Sequence, residues 1–276
     1  MSKIIELNKL RDQTDLKIIG KDNIPKDYPS VIISNHNRLL DIIYLPLAFD
    51  EDIISLVSAR LVFKQDLERL YYLRKYLNAF PIEAHGGKIY SELGLKNASR
   101  FLDKGISTSI FPEGAYIDDQ EHVYKGRTGA ARVLFNTLQR GNYAYFLPVS
   151  IDIKSNSELD TYKPSKDDKV IITVNEPILP NSYYKSFCTA DLPEERNIVL
   201  HEITDKGMQE IASSLNREYV DEYIELNPKG NVMFPDGEKI DAIEAQKEEL
   251  IQKYDKHLKT LRLTLSKDIC LNNSKN

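Results

Sequence analysis

The stretch "VIISNHNRLLDIIYLPLAF" (residues 31–49) joins two apolar runs through a polar turn carrying His36 and, five positions on, Asp41. If a strand gives way to a helix near residue 37, a carboxylate about one turn on reaches back to an imidazole nitrogen. It then fixes the tautomer and stabilises the imidazolium that proton abstraction creates. Such a histidine takes a proton from a hydroxyl without forming a covalent intermediate. The plain alternative is a structural histidine at a strand end. Further on, "FPEG" (residues 111–114) closes another apolar run, where Pro112 and Gly114 force a tight exit that presents Glu113. That carboxylate either positions an acceptor hydroxyl, neutralises a neighbouring cation, or is a turn residue in solvent.

Both motifs depend on the elements that carry them. Short β-branched runs bounded by turn residues predict strands over 30–35, 53–59, 79–84, 107–114, 143–153 and 169–178, with Pro81 favouring an edge or a strand end. Apolar stripes at helical spacing predict helices over 66–78, 88–104 and 127–139. The alternation points to an α/β fold with a mostly parallel central sheet flanked by helices. Chemistry in such folds gathers beyond the carboxyl ends of strands, where His36 and Glu113 both stand. After about residue 180 the pattern turns helical and charged, over 191–226 and 239–263, with the Pro/Gly stretch 227–237 between. The expected organisation is an α/β domain over 1–215 and a helical C-terminal extension over 216–276 with a frayed tail.

Composition limits the function. The 276 residues are 41% hydrophobic and 29% charged, as in ordinary soluble proteins, and no run approaches a spanning helix or a signal segment. Cys188 and Cys270 lie far apart without metal-ligand spacing, so neither a disulfide scaffold nor a metal site is expected, and the setting reads as cytoplasmic. A net charge of −5 argues against a nucleic-acid binder. Yet residues 124–140 carry Lys125, Arg127, Arg132 and Arg140 with no acid, whereas residues 191–255 carry seventeen acids against seven bases. The basic stretch suits a small anionic ligand or lipid headgroups, or is the solvated face of an amphipathic helix. Residues 63–80 mix leucines with Tyr71, Tyr72, Tyr76, Arg69, Arg74 and Lys75, which fits a helix lying in a membrane surface or a sheet-covering helix with snorkelling tyrosines.

"NHNRLLD" (35–41), "FPEG" (111–114) and "LPVSI" (147–151), in this order, resemble the glycerolipid acyltransferase family that includes bacterial 1-acylglycerol-3-phosphate acyltransferases. The resemblance covers roughly residues 20 to 215. It implies transfer of a fatty acyl group from acyl-CoA or acyl-carrier protein to a hydroxyl acceptor, a lysophospholipid first of all. His36 would be the general base, Asp41 its orienter, and Glu113 and Gly114 would help to hold the acceptor. Asn35, Arg38, Lys88, Tyr116, Lys125 and Arg127 complete the expected substrate-binding set. A thioester is already activated, so proximity and one base suffice, with no cofactor and no acyl-enzyme. Backbone donors near His36 or Gly114 would meet the oxyanion. A lipid acceptor also implies peripheral contact with the inner face of the membrane.

Two departures bear on the acceptor. Ala84 and His85 stand where the family carries an arginine, and Ala115–Tyr116 stand where it reads Thr-Arg. Charge-assisted bonds are roughly twice as strong as neutral ones. A phosphate-bearing acceptor must then rely on Arg38, Arg60, Lys125 or Arg127, or on the "HGGK" turn (85–88) into a helix. Otherwise the acceptor is an amine, a sugar or a lipidated metabolite, with Tyr116 as hydroxyl partner or stacking face. A thioesterase-like hydrolase and a non-catalytic lipid- or carrier-binding module are the remaining alternatives.

Overall fold

Val- and Ile-rich runs with little room for helical side-chain rotamers become the strands of one seven-stranded sheet. These are β1 (Asp15–Ile19), β2 (Ser30–Ser34), β3 (Ile54–Ser58), β4 (Asn78–Ile82), β5 (Thr108–Ile110), β7 (Tyr145–Lys154) and β8 (Lys169–Val174), ordered β1-β8-β7-β2-β5-β3-β4. The computed structural model describes residues 3–58, 71–72, 75–82, 88–116, 118–155 and 163–224. Only the β7–β8 pairing is antiparallel; the other neighbours in the sheet run parallel. A separate two-stranded parallel ribbon joins β6 (His122–Tyr124) to β9 (Glu218–Val220). Pro81 lies on β4 at the sheet edge, where its missing N–H leaves no ladder bond unmade.

Central β2 is buried along its whole length and holds register with both neighbours, Ile32 opposite Ser109 and Leu147. Among the described residues, the helices include α1 (Lys3–Arg11), α2 (Asp41–Tyr44), α3 (Lys88–Leu102), α4 (Gly129–Leu138), α5 (Asn181–Thr189) and α6 (Pro193–Leu215). In α6 the buried residues Val199, Leu200, Ile203, Thr204, Gly207, Met208, Ile211 and Ala212 recur at three- and four-residue steps, the signature of one face laid against a core. By contrast α2 and the 3₁₀ turn that follows it, Leu45–Ala48, are buried on every side. A one-turn helix this short gains little from its own hydrogen bonds, so packing holds it in place. It is the firm wall against which the loop 35–40 is folded.

Several expectations shift. The helix foreseen near residue 37 begins at Asp41. The helix foreseen over 191–226 ends at Leu215, because Asn216 takes the left-handed conformation (φ 55°) that stops helices. Within the expected helical extension from 216, the described residues instead begin with strand β9, and the compact unit runs on to Ile224. The helix foreseen over 239–263 and most of that over 66–78 lie outside the described residues. Of the three tyrosines near residues 71–76, Tyr76 is buried, Tyr72 stacks on it, and Tyr71 is exposed. Among the described residues no helix is long and apolar enough to cross a membrane.

The FPEG turn reaches α6 through a glycine. A Cβ on Gly126 would lie 2.8 Å from Pro112 Cβ and 2.8 Å from Thr204 Cγ2, and neither neighbour has a flexible end that can retreat. Gly126→Ala is therefore expected to destabilise the protein by about 1–3 kcal/mol through overpacking. Thermal unfolding would register this as a Tm lowered by roughly 2–4 °C per kcal/mol.

Candidate active site

The His-bearing loop is organised by one carboxylate oxygen. Asp41 Oδ2 accepts the backbone N–H of Asn37 at 2.7 Å, the backbone N–H of Arg38 at 2.8 Å, and His36 Nδ1 at 3.1 Å. Successive N–H groups converging on one anion form a nest, and this nest bends residues 35–40 back over the start of α2. Asp41 is 1% exposed, so the charge is satisfied from within the loop. A carboxylate only accepts, which assigns the imidazole proton to Nδ1 and leaves the Nε2 lone pair free. Nε2 meets no hydrogen-bond partner among the described residues, while the side chain stays 14% exposed. The ring stacks on Phe111 at 4.3 Å and meets the edge of Tyr116 at 5.9 Å.

Glu113 is not offered outward, as its turn suggested. It is 6% exposed, and its two oxygens accept the backbone N–H of His36 (2.8 Å) and of Tyr124 (3.1 Å). Gly114 makes that inward aim possible by taking φ 81°, closing the turn with an N–H donated to Phe111. The carboxylate thus ties the His36 loop to β6. Burial pushes its pKa up to about 7, with the two N–H donors pulling the other way, Asp41 adding to the rise and Arg217 opposing it.

The remaining expected site residues divide. Tyr116 touches the His36 ring. Arg127 is exposed and lies against Gly114, where an added Cβ would stand 3.2 Å from its Nε. Its guanidinium sits 5.4 Å from the Tyr223 ring centre, and among the described residues no carboxylate pairs with it. Lys125 is instead taken up by Asp221 at 2.5 Å and Asp205 at 3.6 Å. Asn35 is buried and faces β7, donating to the Ile151 carbonyl and accepting the Ile151 N–H, each at 2.9 Å. It therefore braces the loop and is not turned towards a substrate. Arg38 contributes its backbone N–H to the nest, and its side chain is half-buried. Lys88 opens α3, but its side chain, Arg60 and residues 83–87 lie outside the described residues.

Three residues outside the expected set join the site, Asn37 from within the His36 motif and Asp119 and Arg217 from outside any motif. Asn37 donates its amide to the Asp119 carbonyl at 2.7 Å and accepts from Asn35 at 2.7 Å and from Arg217 at 2.8 Å. Arg217, its side chain 5% exposed, also donates to Gln120 at 2.9 Å, to the Asp119 carbonyl at 3.4 Å and to Asp152 at 3.5 Å. Asp119 receives the Tyr124 hydroxyl at 2.8 Å and His122 Nδ1 at 2.9 Å. Partial burial would raise its pKa, but the Glu121 N–H, the Tyr124 hydroxyl and the two His122 donors together hold it at about 2. Among the described residues no group of three or more His, Cys, Asp or Glu side chains is arranged to hold a metal ion.

Comparison with known proteins gives two findings. A family model described as Acyltransferase matches residues 15–152, half of the chain. Among solved structures, the chain is similar to the 1-acyl-sn-glycerophosphate (LPA) acyltransferase PlsC from Thermotoga maritima, at 22% identity and a TM-score of 0.48, over 76% of this chain and 80% of that one. No curated protein sequence matches.

Glu113 has a measurable consequence. Its folded pKa lies above the unfolded value, so it binds more protons folded than unfolded between about 4.5 and 7, and its contribution to stability falls as pH rises through that window. Glu113→Gln should lose this dependence, so the stability advantage of the wild type over the variant shrinks from pH 4.5 to pH 7 in denaturant titrations. The variant should also be about 1–3 kcal/mol less stable, because its NH₂ would face a backbone N–H.

Proposed function

The chain belongs to the acyltransferase family, and on that premise we propose that it moves a fatty acyl group from acyl-CoA or acyl-carrier protein to the hydroxyl of a 1-acylglycerol-3-phosphate-type lysophospholipid. The observation that carries this reading is the His36 Nδ1–Asp41 contact, which leaves Nε2 available as a base. Nε2 accepts the acceptor hydroxyl proton as the oxygen attacks the thioester carbonyl. The C–O bond forms, the carbonyl π electrons move onto oxygen, and a tetrahedral intermediate results. Its collapse re-forms the carbonyl and breaks the C–S bond, and the thiolate takes the proton back from the imidazolium. Asp41 keeps the tautomer and offsets the transient positive charge.

In this reading Glu113 acts through the backbone of His36, holding the loop in register with β6. The thioester is already activated, so the step draws on no resident cofactor and no acyl-enzyme. Ser34 is fully buried, and Cys188 is an exposed thiol on α5 that the scheme does not use. Arg127 is the cation we assign to the acceptor phosphate. It is exposed and without a carboxylate partner among the described residues, whereas Lys125 is already neutralised. A lipid acceptor would be met at the cytoplasmic membrane surface by peripheral contact.

Steady-state assays with acyl-CoA and a lysophosphatidate test the scheme. His36→Ala should lower kcat by about 10²–10⁴-fold, the usual worth of a general base, with the fold intact by circular dichroism. Unchanged turnover would remove His36 from the chemistry. Arg127→Ala should raise KM for the phosphate acceptor by roughly 10- to 100-fold, the equivalent of one charge-assisted bond, with KM for acyl-CoA unaltered. Equal KM for phosphate and non-phosphate acceptors in the wild type would instead favour an amine or sugar acceptor. Thioester loss without acyl transfer to any acceptor would favour hydrolysis.

A further inference from the structure

We infer that Arg217 is a positioning residue of the acyl-transfer step, setting the orientation of His36 by clamping Asn37, an inference that rests on His36 being the base. Arg217 lies outside residues 15–152, the segment that matches the family model. It reaches the loop because Asn216 turns left-handed at the end of α6 and directs the chain into β9. The guanidinium then bridges three parts of the molecule: Asn37 in the His36 loop, Asp119 and Gln120 ahead of β6, and Asp152 on β7.

Asn37 is the link to the chemistry. Its backbone N–H and the His36 ring share one acceptor, Asp41 Oδ2. Its side chain is held from several sides, the amide nitrogen donating to the Asp119 carbonyl and the amide oxygen accepting from Asn35 and Arg217. If the Arg217 donor is lost, a buried acceptor loses a partner and Asn37 has room to rotate. The Asn37 N–H then moves on Oδ2, and the imidazole must follow, because both donors compete for the same oxygen. An arginine suits this task better than a lysine, since its planar fork holds fixed angles to several acceptors at once. Removing the clamp should therefore affect the reacting geometry more than donor binding.

The test is steady-state kinetics on the full chain with acyl-CoA and a lysophosphatidate, using Arg217→Gln, Arg217→Lys, Asn37→Ala, the Arg217→Gln/Asn37→Ala double variant and His36→Ala. Misplacing a base by a fraction of an ångström to an ångström should lower kcat of Arg217→Gln by about 10- to 100-fold, with KM for acyl-CoA changed less than about twofold. Arg217→Lys should recover part of the loss. The double variant should be no worse than Asn37→Ala, because both substitutions act on one link. The downfield Nδ1 proton resonance, identified by its absence in His36→Ala, should shift in Arg217→Gln. Wild-type kcat in Arg217→Gln, or additive losses in the double variant, overturns the inference while an inactive His36→Ala leaves the base standing. An active His36→Ala removes both. If Arg217→Gln does not fold, Arg217→Lys decides: a lowered kcat at constant KM and a shifted resonance support the clamp, and wild-type values overturn it.

Discussion

Three donors meeting on one oxygen of Asp41 hold the site in shape. A buried carboxylate costs several kcal/mol to desolvate unless it is well hydrogen-bonded, and here the bonds come from the segment that the carboxylate must shape. The loop thus folds around its own counter-charge, and the imidazole is one of the three donors. The packed turn of α2 fixes the position of Asp41, and β2 fixes the other end of the loop. What remains adjustable is the short stretch between, and Glu113, Asn35 and Arg217 each brace it from a different direction.

The charges around this loop are unequal in purpose. Glu113 is forced inward to accept two backbone N–H groups, and burial makes it a weak acid. Arg217 is nearly as enclosed, and its positive field favours the ionised form of Glu113. Outside, Lys125 and Arg127 stand two residues apart in a stretch without acids, yet the fold brings Asp205 and Asp221 to the lysine and the Tyr223 ring to the arginine. One cation is paired with two carboxylates, and the other meets an aromatic ring and, among the described residues, no carboxylate. No local property of the stretch distinguishes them.

That contrast marks how far the sequence could be read. The His36–Asp41 pair was legible because five residues separate them and the loop closes locally. Strand β2 was legible because "SVIIS" is continuously apolar or small and bounded by turn residues, as a doubly covered strand must be. Strand β1, "DLKII", has a mixed face that does not set it apart from a loop, and β6 and β9 are three residues each, too short for any periodicity. Asn35 reads as a polar residue beside a histidine, and only the position of β7 shows that it turns away. The turn that carries Glu113 is written in "FPEG", but its inward aim is not, since a positive φ at Gly114 does not say which way the preceding side chain points. Arg217 carries no motif at all. Its role arises from where α6 stops.

The braces on the His36 loop come from Glu113, Ile151 and Arg217, each far along the chain from the residue it holds. Contacts of such long sequence separation form late, after the sheet has paired and the loop-closure entropy has been met. A chain emerging from the ribosome would build β2 and α2 early and could close the Asp41 nest from neighbouring residues, yet the outer braces would arrive only once the far end of α6 had been synthesised and had packed. The arrangement has a protective side, because a half-made molecule leaves this loop without its distant braces until it is nearly whole.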